Sequence, residues 1–173
     1  ALMVGTGMGA ERGILIRKGE AIQTMREVKA VILDKTGTLT KGKPELTDVI
    51  AVGSNTGDET KVLYYAASVE RGSEHPLAQA IVKKARQKKI KFVEPKEFKS
   101  IKGMGVEGSV NGAKVFVGKP SLLRPGAMGA EAKKEFRRLQ SEAKTSVVVA
   151  IKGKVIGIAA IADTLKEDTV DAV

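Results

Sequence analysis

The sequence of 173 residues contains no cysteine and no tryptophan, and it has a single histidine. Without cysteine, the chain cannot form a disulfide framework, a thiolate nucleophile or a cysteine-based zinc site. Aromatic residues make up only 3% of the chain, which argues against a nucleic-acid surface built on base stacking. The longest apolar run, residues 155–162, is far shorter than the roughly 18–20 residues that span a bilayer. With no signal-peptide pattern either, we expect a soluble piece of a longer chain.

One charge sign dominates, because the formal net charge is +10. A basic surface raises the affinity for any polyanion, whether nucleic acid, anionic lipid or nucleotide, and does not choose among them. The densest cationic cluster is residues 83–91. A solvated helix face is its main interpretation, with membrane or nucleic-acid contact as alternatives.

The hydrophobic pattern predicts a nested organisation. A glycine-rich entry and a helix, with Ile14, Ile16, Ala21, Ile22 and Met25 as candidate buried positions, precede a buried parallel strand at residues 29–33. The middle of the chain predicts helices at 59–71 after an Asp58 cap, from Pro76, and at 130–144, and hairpins at 105–117 and 145–162. Asp163 to Lys166 looks like the start of another helix. A parallel-type strand separated from the final strands by an antiparallel block indicates an inserted domain.

Asp34 directly follows the predicted strand at residues 29–33, at the edge where open α/β sheets place their ligand sites. A carboxylate there can attack phosphorus and form an aspartyl phosphate. The residues that follow suit phosphoryl transfer, because Lys35 supplies a cation, Thr36 and Thr38 supply hydroxyl groups, and Gly37 lets backbone amides approach phosphate oxygens. Mg²⁺ would bridge the Asp34 carboxylate and a phosphate oxygen.

The run from Asp34 to Thr40, DKTGTLT, resembles the phosphorylation motif of P-type ATPases, which belong to the haloacid dehalogenase superfamily of phosphotransferases. The run from Ser73 to Leu77, SEHPL, resembles a motif of the heavy-metal-transporting branch, of P1B type and copper-like. Both motifs occur in the family's order and spacing, and the resemblance extends across nearly the whole chain.

The resemblance implies an α/β and α+β fold, in which an antiparallel nucleotide-binding domain with flanking helices is inserted into a partial Rossmann-type phosphorylation domain. It predicts phosphorylation-domain segments at residues 1–46 and 146–173, and a nucleotide-binding domain at residues 47–145. Asp163 and Lys166 match the short segment where the family's chain returns to the phosphorylation domain. A hinge role and helix capping both remain open for them.

The resemblance also assigns roles. Asp34 would accept the γ-phosphate of ATP, and Asp34 and Thr36 would contribute to the Mg²⁺ environment. Thr36 stands where soluble phosphatases of the superfamily usually carry an acid/base aspartate, which favours a longer-lived phosphoenzyme. The residues implied to bind ATP are Glu70, Glu74, His75, Gly103, Gly105, Gly118 and Lys119. Of these, Lys119 departs from the asparagine that the family carries.

The implied function is that of the ATP-binding and phosphorylation part of a heavy-metal-exporting P-type ATPase, with copper as the favoured ion and zinc-type ions open. Its partners would be the transmembrane, actuator and remaining phosphorylation segments of the same parent protein, which would place this part on the cytoplasmic side of a membrane. The chain alone is expected to bind nucleotide with little turnover. The alternatives are a soluble haloacid-dehalogenase-type phosphatase and a basic nucleic-acid-binding module; the main interpretation involves no nucleic acid.

Overall fold

The computed structural model describes residues 2–173 and divides them into two compact units, one up to Lys35 and one from Thr36 to Val173. Each unit has its own secondary structure. Within the described residues, no helix is both long enough and apolar enough to cross a membrane.

The first unit contains two helices, α1 (Leu2–Glu11) and α2 (Gly19–Met25). The expected burial of its apolar positions is wrong. Ile14, Ala21 and Met25 are exposed, and Ile16 and Ile22 are only partly buried. The physical reason is that a short amphipathic helix buries a face only against a second layer, and no described residue of α2 is buried.

The predicted buried strand at residues 29–33 is also wrong. This segment has no regular secondary structure, and its apolar side chains are exposed, with Ile32 at 98% and Val31 at 72%. A strand of a parallel sheet needs hydrogen-bonded neighbours and helices on its faces. Among the described residues, no strand pairs with residues 29–33, so the segment gains nothing from its β-branched sequence.

The second unit is built on an antiparallel sheet that contains six strands among the described residues, in the order β1-β6-β5-β4-β3-β2. The strands are β1 (Thr40–Ala51), β2 (Lys96–Ile101), β3 (Gly105–Val110), β4 (Ala113–Gly118), β5 (Thr145–Ile151) and β6 (Lys154–Leu165). The β3–β4 hairpin forms as expected, because Asn111 and Gly112 adopt the positive φ values of 50° and 76° that a type I′ turn requires.

Helices cover both faces of the sheet. One face carries α3 (Glu59–Glu70) and α4 (Pro76–Gln87), whose Val62, Leu63 and Ile81 pack against valines of β3 and β4. The other carries α5 (Ala130–Ser141), through Phe136 and Leu139. Asp58 caps α3 as predicted by accepting a hydrogen bond from the Lys61 amide. A short helix, α6 (Thr169–Ala172), follows the sheet.

Two strands lie where the sequence predicts turns or nothing regular. β1 runs through Gly42 and Pro44, two residue types that are typical of turns. The strand tolerates Pro44 because β1 is at the edge of the sheet. β2 is the opposite edge, and its largely exposed, lysine-rich sequence has no apolar alternation. Residues 163–165 extend β6 and do not begin a helix, because Asp163 pairs with Pro44 of β1.

The mixed α/β fold class is confirmed, and the antiparallel sheet with flanking helices is its main part. The domain boundaries at residues 46 and 145 stay a prediction. β1 continues across the first of them, and β1 and β6 form one ladder that joins residues on both sides of it.

Candidate functional site

A cavity of about 410 Å³ opens between the first turn of α4 and the ends of β3, β4 and β5. It brings together residues from Glu70 to Val147, which lie up to 77 positions apart in the sequence. The predicted ATP-binding residues that line it are Glu70, His75, Gly103, Gly105, Gly118 and Lys119. Apolar residues of α4 (Leu77, Ala78 and Ile81) and of the strands (Val106 and Val117) supply the rest of the wall. A mostly apolar cavity with a few convergent polar groups is the usual form of a small-molecule site.

His75 is held at the rim by the start of α4. It is the N-cap residue, and its Nδ1 accepts a hydrogen bond of 3.2 Å from the Leu77 amide. Pro76 follows at the first helical position, where a missing amide hydrogen costs nothing. Because Nδ1 accepts, the neutral ring carries its proton on Nε2, and the exposed imidazole has one donor and two faces available to a ligand.

Glu70 is the buried acid of the cavity. It is the last residue of α3 and only 8% exposed. Burial raises the pKa of its carboxyl from the usual value near 4.5 to about 7, and a hydrogen bond with the Ser73 side chain opposes that rise. Near neutral pH the carboxyl therefore exists in both protonation states, as an acceptor when ionised and as a donor when protonated.

The glycines of the cavity have a structural reason that the sequence did not reveal. Gly105 and Gly118 face each other across the β3–β4 ladder. A Cβ on Gly105, which has a φ of 144°, would overlap the Val117 carbonyl oxygen, and a Cβ on Gly118 would overlap the Met104 carbonyl oxygen. These two positions thus require glycine for the close approach of two backbones. Gly103 has a φ of 70° and open space around it, so turn geometry alone favours glycine there.

Two of the predicted ATP-binding residues, Lys119 and Glu74, differ in their position relative to the cavity. Lys119 lines the cavity with an exposed side chain, and its amide donates to the Met104 carbonyl oxygen at 2.7 Å. Glu74 is exposed and is not among the residues that line the cavity; its carbonyl oxygen accepts a hydrogen bond from Gln79. The expected contact of Glu74 with ATP stays a prediction, for a residue outside the lining of this cavity.

Sequence reasoning missed the contribution of β5, because its first residues carry no motif. Thr145, Ser146 and Val147 line the cavity. Alternation along the strand places Thr145 and Val147 on one face and Ser146, with Val148, on the other. The Ser146 hydroxyl is buried without a hydrogen-bond partner among the described residues.

The predicted phosphorylation motif, residues 34–40, spans the end of the first unit and the start of the second. Asp34, Lys35, Thr36 and Thr38 are all exposed. Within the second unit, residues 36–39 form an irregular turn in which Gly37 has a φ of 80°.

The turn is fixed at its end by Thr40, which is buried. The Thr40 hydroxyl accepts a hydrogen bond from the Gly37 amide at 3.1 Å and donates one to the Asp163 carboxylate. Asp163 also accepts from the Lys43 amide at 3.2 Å. The Leu39 carbonyl oxygen accepts from the Lys166 amide and from the Thr169 hydroxyl. The segment from Asp163 to Thr169 therefore holds residues 37–40 in place, and Asp163 does not cap a helix.

The described residues form no ready-made cluster of metal ligands. Among the described residues, no group of three or more histidine, cysteine or acidic side chains could hold a metal ion. The Asp34 carboxylate is the kind of ligand that suits Mg²⁺, which protein sites commonly bind through one or two carboxylates together with phosphate oxygens and water.

Comparison with known proteins agrees with this geometry. The model of the family of haloacid dehalogenase-like hydrolases matches residues 28–173. The chain belongs to that family. Within it, the chain is similar to the heavy-metal P-type ATPases, which confirms the resemblance seen in the sequence.

Three longer proteins illustrate the similarity. The chain is 47% identical over its whole length to a probable copper-exporting P-type ATPase of Archaeoglobus fulgidus, of which it covers 21%. The structure matches a zinc-transporting PIB-type ATPase in the E2.Pi state with a TM-score of 0.85 at 35% identity, covering 100% of this chain and 28% of that one. It also matches the catalytic domain of a CPx-ATPase, described as changing conformation upon nucleotide binding, with a TM-score of 0.64 at 29% identity, covering 96% and 58% of the two chains.

Proposed function

We propose that the cavity beside α4 binds ATP through its adenine ring, and that the chain is the nucleotide-binding and phosphorylation part of a heavy-metal-exporting P-type ATPase. The observation that carries the proposal is the convergence of Glu70, His75, Gly103 and Gly118 on one cavity, although they come from three separate parts of the sequence. The apolar walls would contact the faces of a purine, and the two titratable side chains would hydrogen-bond to its edge.

The exposed imidazole of His75 is positioned to stack on the adenine or to donate from Nε2. Glu70 would pair with the exocyclic amino group when ionised. Because GTP presents a carbonyl oxygen at that position, an ionised Glu70 would oppose GTP, which gives the cavity a reason to prefer ATP. Lys119 is at the rim, where a flexible cation would contact phosphate oxygens.

Asp34 would be the residue that accepts the phosphoryl group. One of its carboxylate oxygens would form a bond to the γ-phosphorus as the bond from that phosphorus to the bridging oxygen breaks, so that ADP leaves with the electron pair. Lys35, the hydroxyls of Thr36 and Thr38 and the amides of the turn would neutralise the charge on the γ-phosphate. Mg²⁺, held by Asp34 and Thr36, would supply the Lewis-acid component.

Copper is the favoured transported ion, because the curated relative from Archaeoglobus fulgidus is a probable copper exporter. A zinc-transporting neighbour keeps zinc-type ions open. The chain spans about a fifth of the length of the curated relatives that it matches. Transport would therefore depend on the transmembrane, actuator and remaining phosphorylation segments of a parent protein, with this part on the cytoplasmic side.

Isothermal titration of the chain with ATP and GTP, at a low and a high salt concentration, tests nucleotide recognition. We expect ATP to bind at least tenfold more tightly than GTP, with that ratio kept at high salt. Equal affinities for the two nucleotides that both fall steeply with salt would mean that the basic surface binds polyanions without recognising adenine, and would refute the proposal.

A further inference from the structure

A second and larger cavity, of about 680 Å³, lies on the other face of the sheet. Its floor includes Phe116 and Ala150, which belong to the core that packs against α5, whereas the ATP cavity is lined by Val106 and Val117 of the core under α3 and α4. The loop after β4 closes one side through Leu122 to Ala127. A hydrogen bond of 3.0 Å from the Val155 amide to the Ala127 carbonyl oxygen ties that loop to β6.

The rim of this second cavity is strongly basic. The charged residues that line it are Lys114, Arg124, Lys152, Lys154 and Glu107. Glu107 already forms an ion pair with Lys114 at 3.1 Å. Within the described residues, no ion pair joins the other three cations to an acid, whereas Arg138 and Lys144 elsewhere on the surface each pair with two carboxylates. The cavity thus gathers uncompensated positive charge.

The floor of the same cavity is apolar. Phe116 lies at its base and is only 7% exposed, while Leu122 remains 41% exposed at its side. A small inorganic anion would leave this apolar surface uncovered. A ligand with carboxylates around an aliphatic side chain would satisfy both parts, with Arg124 able to hold a carboxylate by two parallel hydrogen bonds.

The concave shape of the second cavity and the residues that line it distinguish among a membrane, a nucleic acid and a polypeptide as its ligand. A bilayer surface is broad and cannot enter a concave site, so a membrane favours basic residues on a convex face. A nucleic acid that binds by base stacking needs an exposed aromatic ring, and Phe116 is buried. A polypeptide segment can insert one side chain and place acidic neighbours on the rim.

We propose that this second cavity docks an acidic peptide segment with an apolar anchor, supplied by another part of the longer parent protein. The curated relatives are about five times as long as the chain, since it covers 21% of them, which leaves much polypeptide to supply such a segment. Tethering in one protein gives a weak contact a high effective concentration. The proposal goes beyond nucleotide binding and does not depend on it.

The test is an NMR titration of the ¹⁵N-labelled chain with a blocked hexapeptide that has two central leucines and two glutamates on each side. We expect saturable shifts at the amides of Lys114, Phe116, Arg124 and Lys154, with the amides near Glu70 unchanged. A peptide with glutamine in place of glutamate, and one with glycine in place of leucine, should each bind at least fivefold more weakly.

Two double variants reverse the same number of charges, one pair within the cavity lining and one pair outside it. Arg124→Glu with Lys154→Glu should abolish the shifts, whereas Lys133→Glu with Lys134→Glu, on α5 and outside the cavity lining, should retain them. Equal losses in both variants, no saturable binding, or the same shifts produced only by phosphatidylserine vesicles would overturn the proposal. ATP titrations on the same samples keep the two sites distinguishable, because loss of either binding event leaves the other measurable.

Discussion

At the scale of single residues, we expect His75 to have two roles that different substitutions separate. Its ring caps α4 by accepting from the Leu77 amide, and its exposed faces are available to adenine. Asparagine is a good N-cap residue, whereas glutamine is not.

We expect His75→Asn to keep the stability of the chain and His75→Gln to lose about 1 kcal/mol of unfolding free energy. Both variants should bind ATP about tenfold more weakly, because both lose the aromatic ring. Urea denaturation and calorimetric titration measure the two effects. Full ATP affinity in His75→Asn would show that only the cap matters.

Glu70 makes stability depend on pH. Its pKa is about 7 in the folded chain and near 4.5 as an ordinary carboxyl, so the folded state binds an extra proton between these pH values. The resulting stabilisation is fully present below about pH 4.5 and is lost as the pH rises through 7.

We expect the difference in unfolding free energy between the wild type and Glu70→Gln to change by up to about 3 kcal/mol over this range. The wild type should become less stable relative to the variant as the pH rises. Denaturation series at several pH values, with Glu74→Gln as the exposed control, measure it. If the unfolding free energies of the wild type and Glu70→Gln change in parallel with pH, that result would contradict burial of the Glu70 carboxyl.

At the scale of elements, α3 packs closely against the sheet at one glycine of β6. A Cβ at Gly157 of β6 would lie 2.5 Å from Val62 Cγ2 and 2.7 Å from the Ile50 carbonyl oxygen. The helix, the edge strand β1 and β6 therefore approach more closely than a methyl group allows.

Gly157→Ala should lower the unfolding free energy by about 2 kcal/mol or more, because the added methyl group forces the helix away from the sheet. Gly7→Ala is a control, since a Cβ there meets nothing within 4 Å. Thermal unfolding measures both, and a Gly157→Ala variant as stable as wild type would show that the helix packs less tightly than described.

The β1–β6 ladder also connects the phosphorylation motif to the rest of the second unit. Asp163 holds Thr40, and Thr40 holds the Gly37 amide. Asp163→Ala should leave ATP affinity within about twofold of wild type, because the cavity is lined by other residues, while freeing the turn at residues 36–39. Larger amide shift changes and faster hydrogen exchange at Gly37 and Lys43, with unchanged ATP titrations, would verify this positioning role. An unaltered exchange rate at both amides would exclude it.

At the scale of the whole molecule, the sequence predicts the helices of the second unit better than the edge strands of the sheet. Asp58, Pro76 and the Asn111-Gly112 pair are local signals, because a cap or turn depends on its own neighbours, and each is confirmed. The two edge strands lack apolar alternation. The close contact of Gly105 with Gly118 depends on pairing across the ladder, which no local pattern contains.

The segment at residues 29–33 shows the opposite failure. Its β-branched residues favour a strand, yet they are exposed and unpaired among the described strands. Asp34, which follows it, is therefore not held by any strand among the described residues. Since phosphoryl transfer relies on preorganised groups, we expect ATP binding with little turnover. Phosphate release no faster than from an Asp34→Asn control is the expected result, and sustained release that Asp34→Asn abolishes would contradict it.

The most direct test of the central claim is an NMR map of ATP and GTP titrations on the wild type and His75→Asn, with Lys88→Gln at the far end of α4 as control. We predict ATP-selective shifts around Glu70, His75, Gly103 and Gly105 that weaken in His75→Asn and persist in Lys88→Gln. Equal responses to both nucleotides, spread over the basic surface and indifferent to His75, would contradict adenine recognition by this cavity.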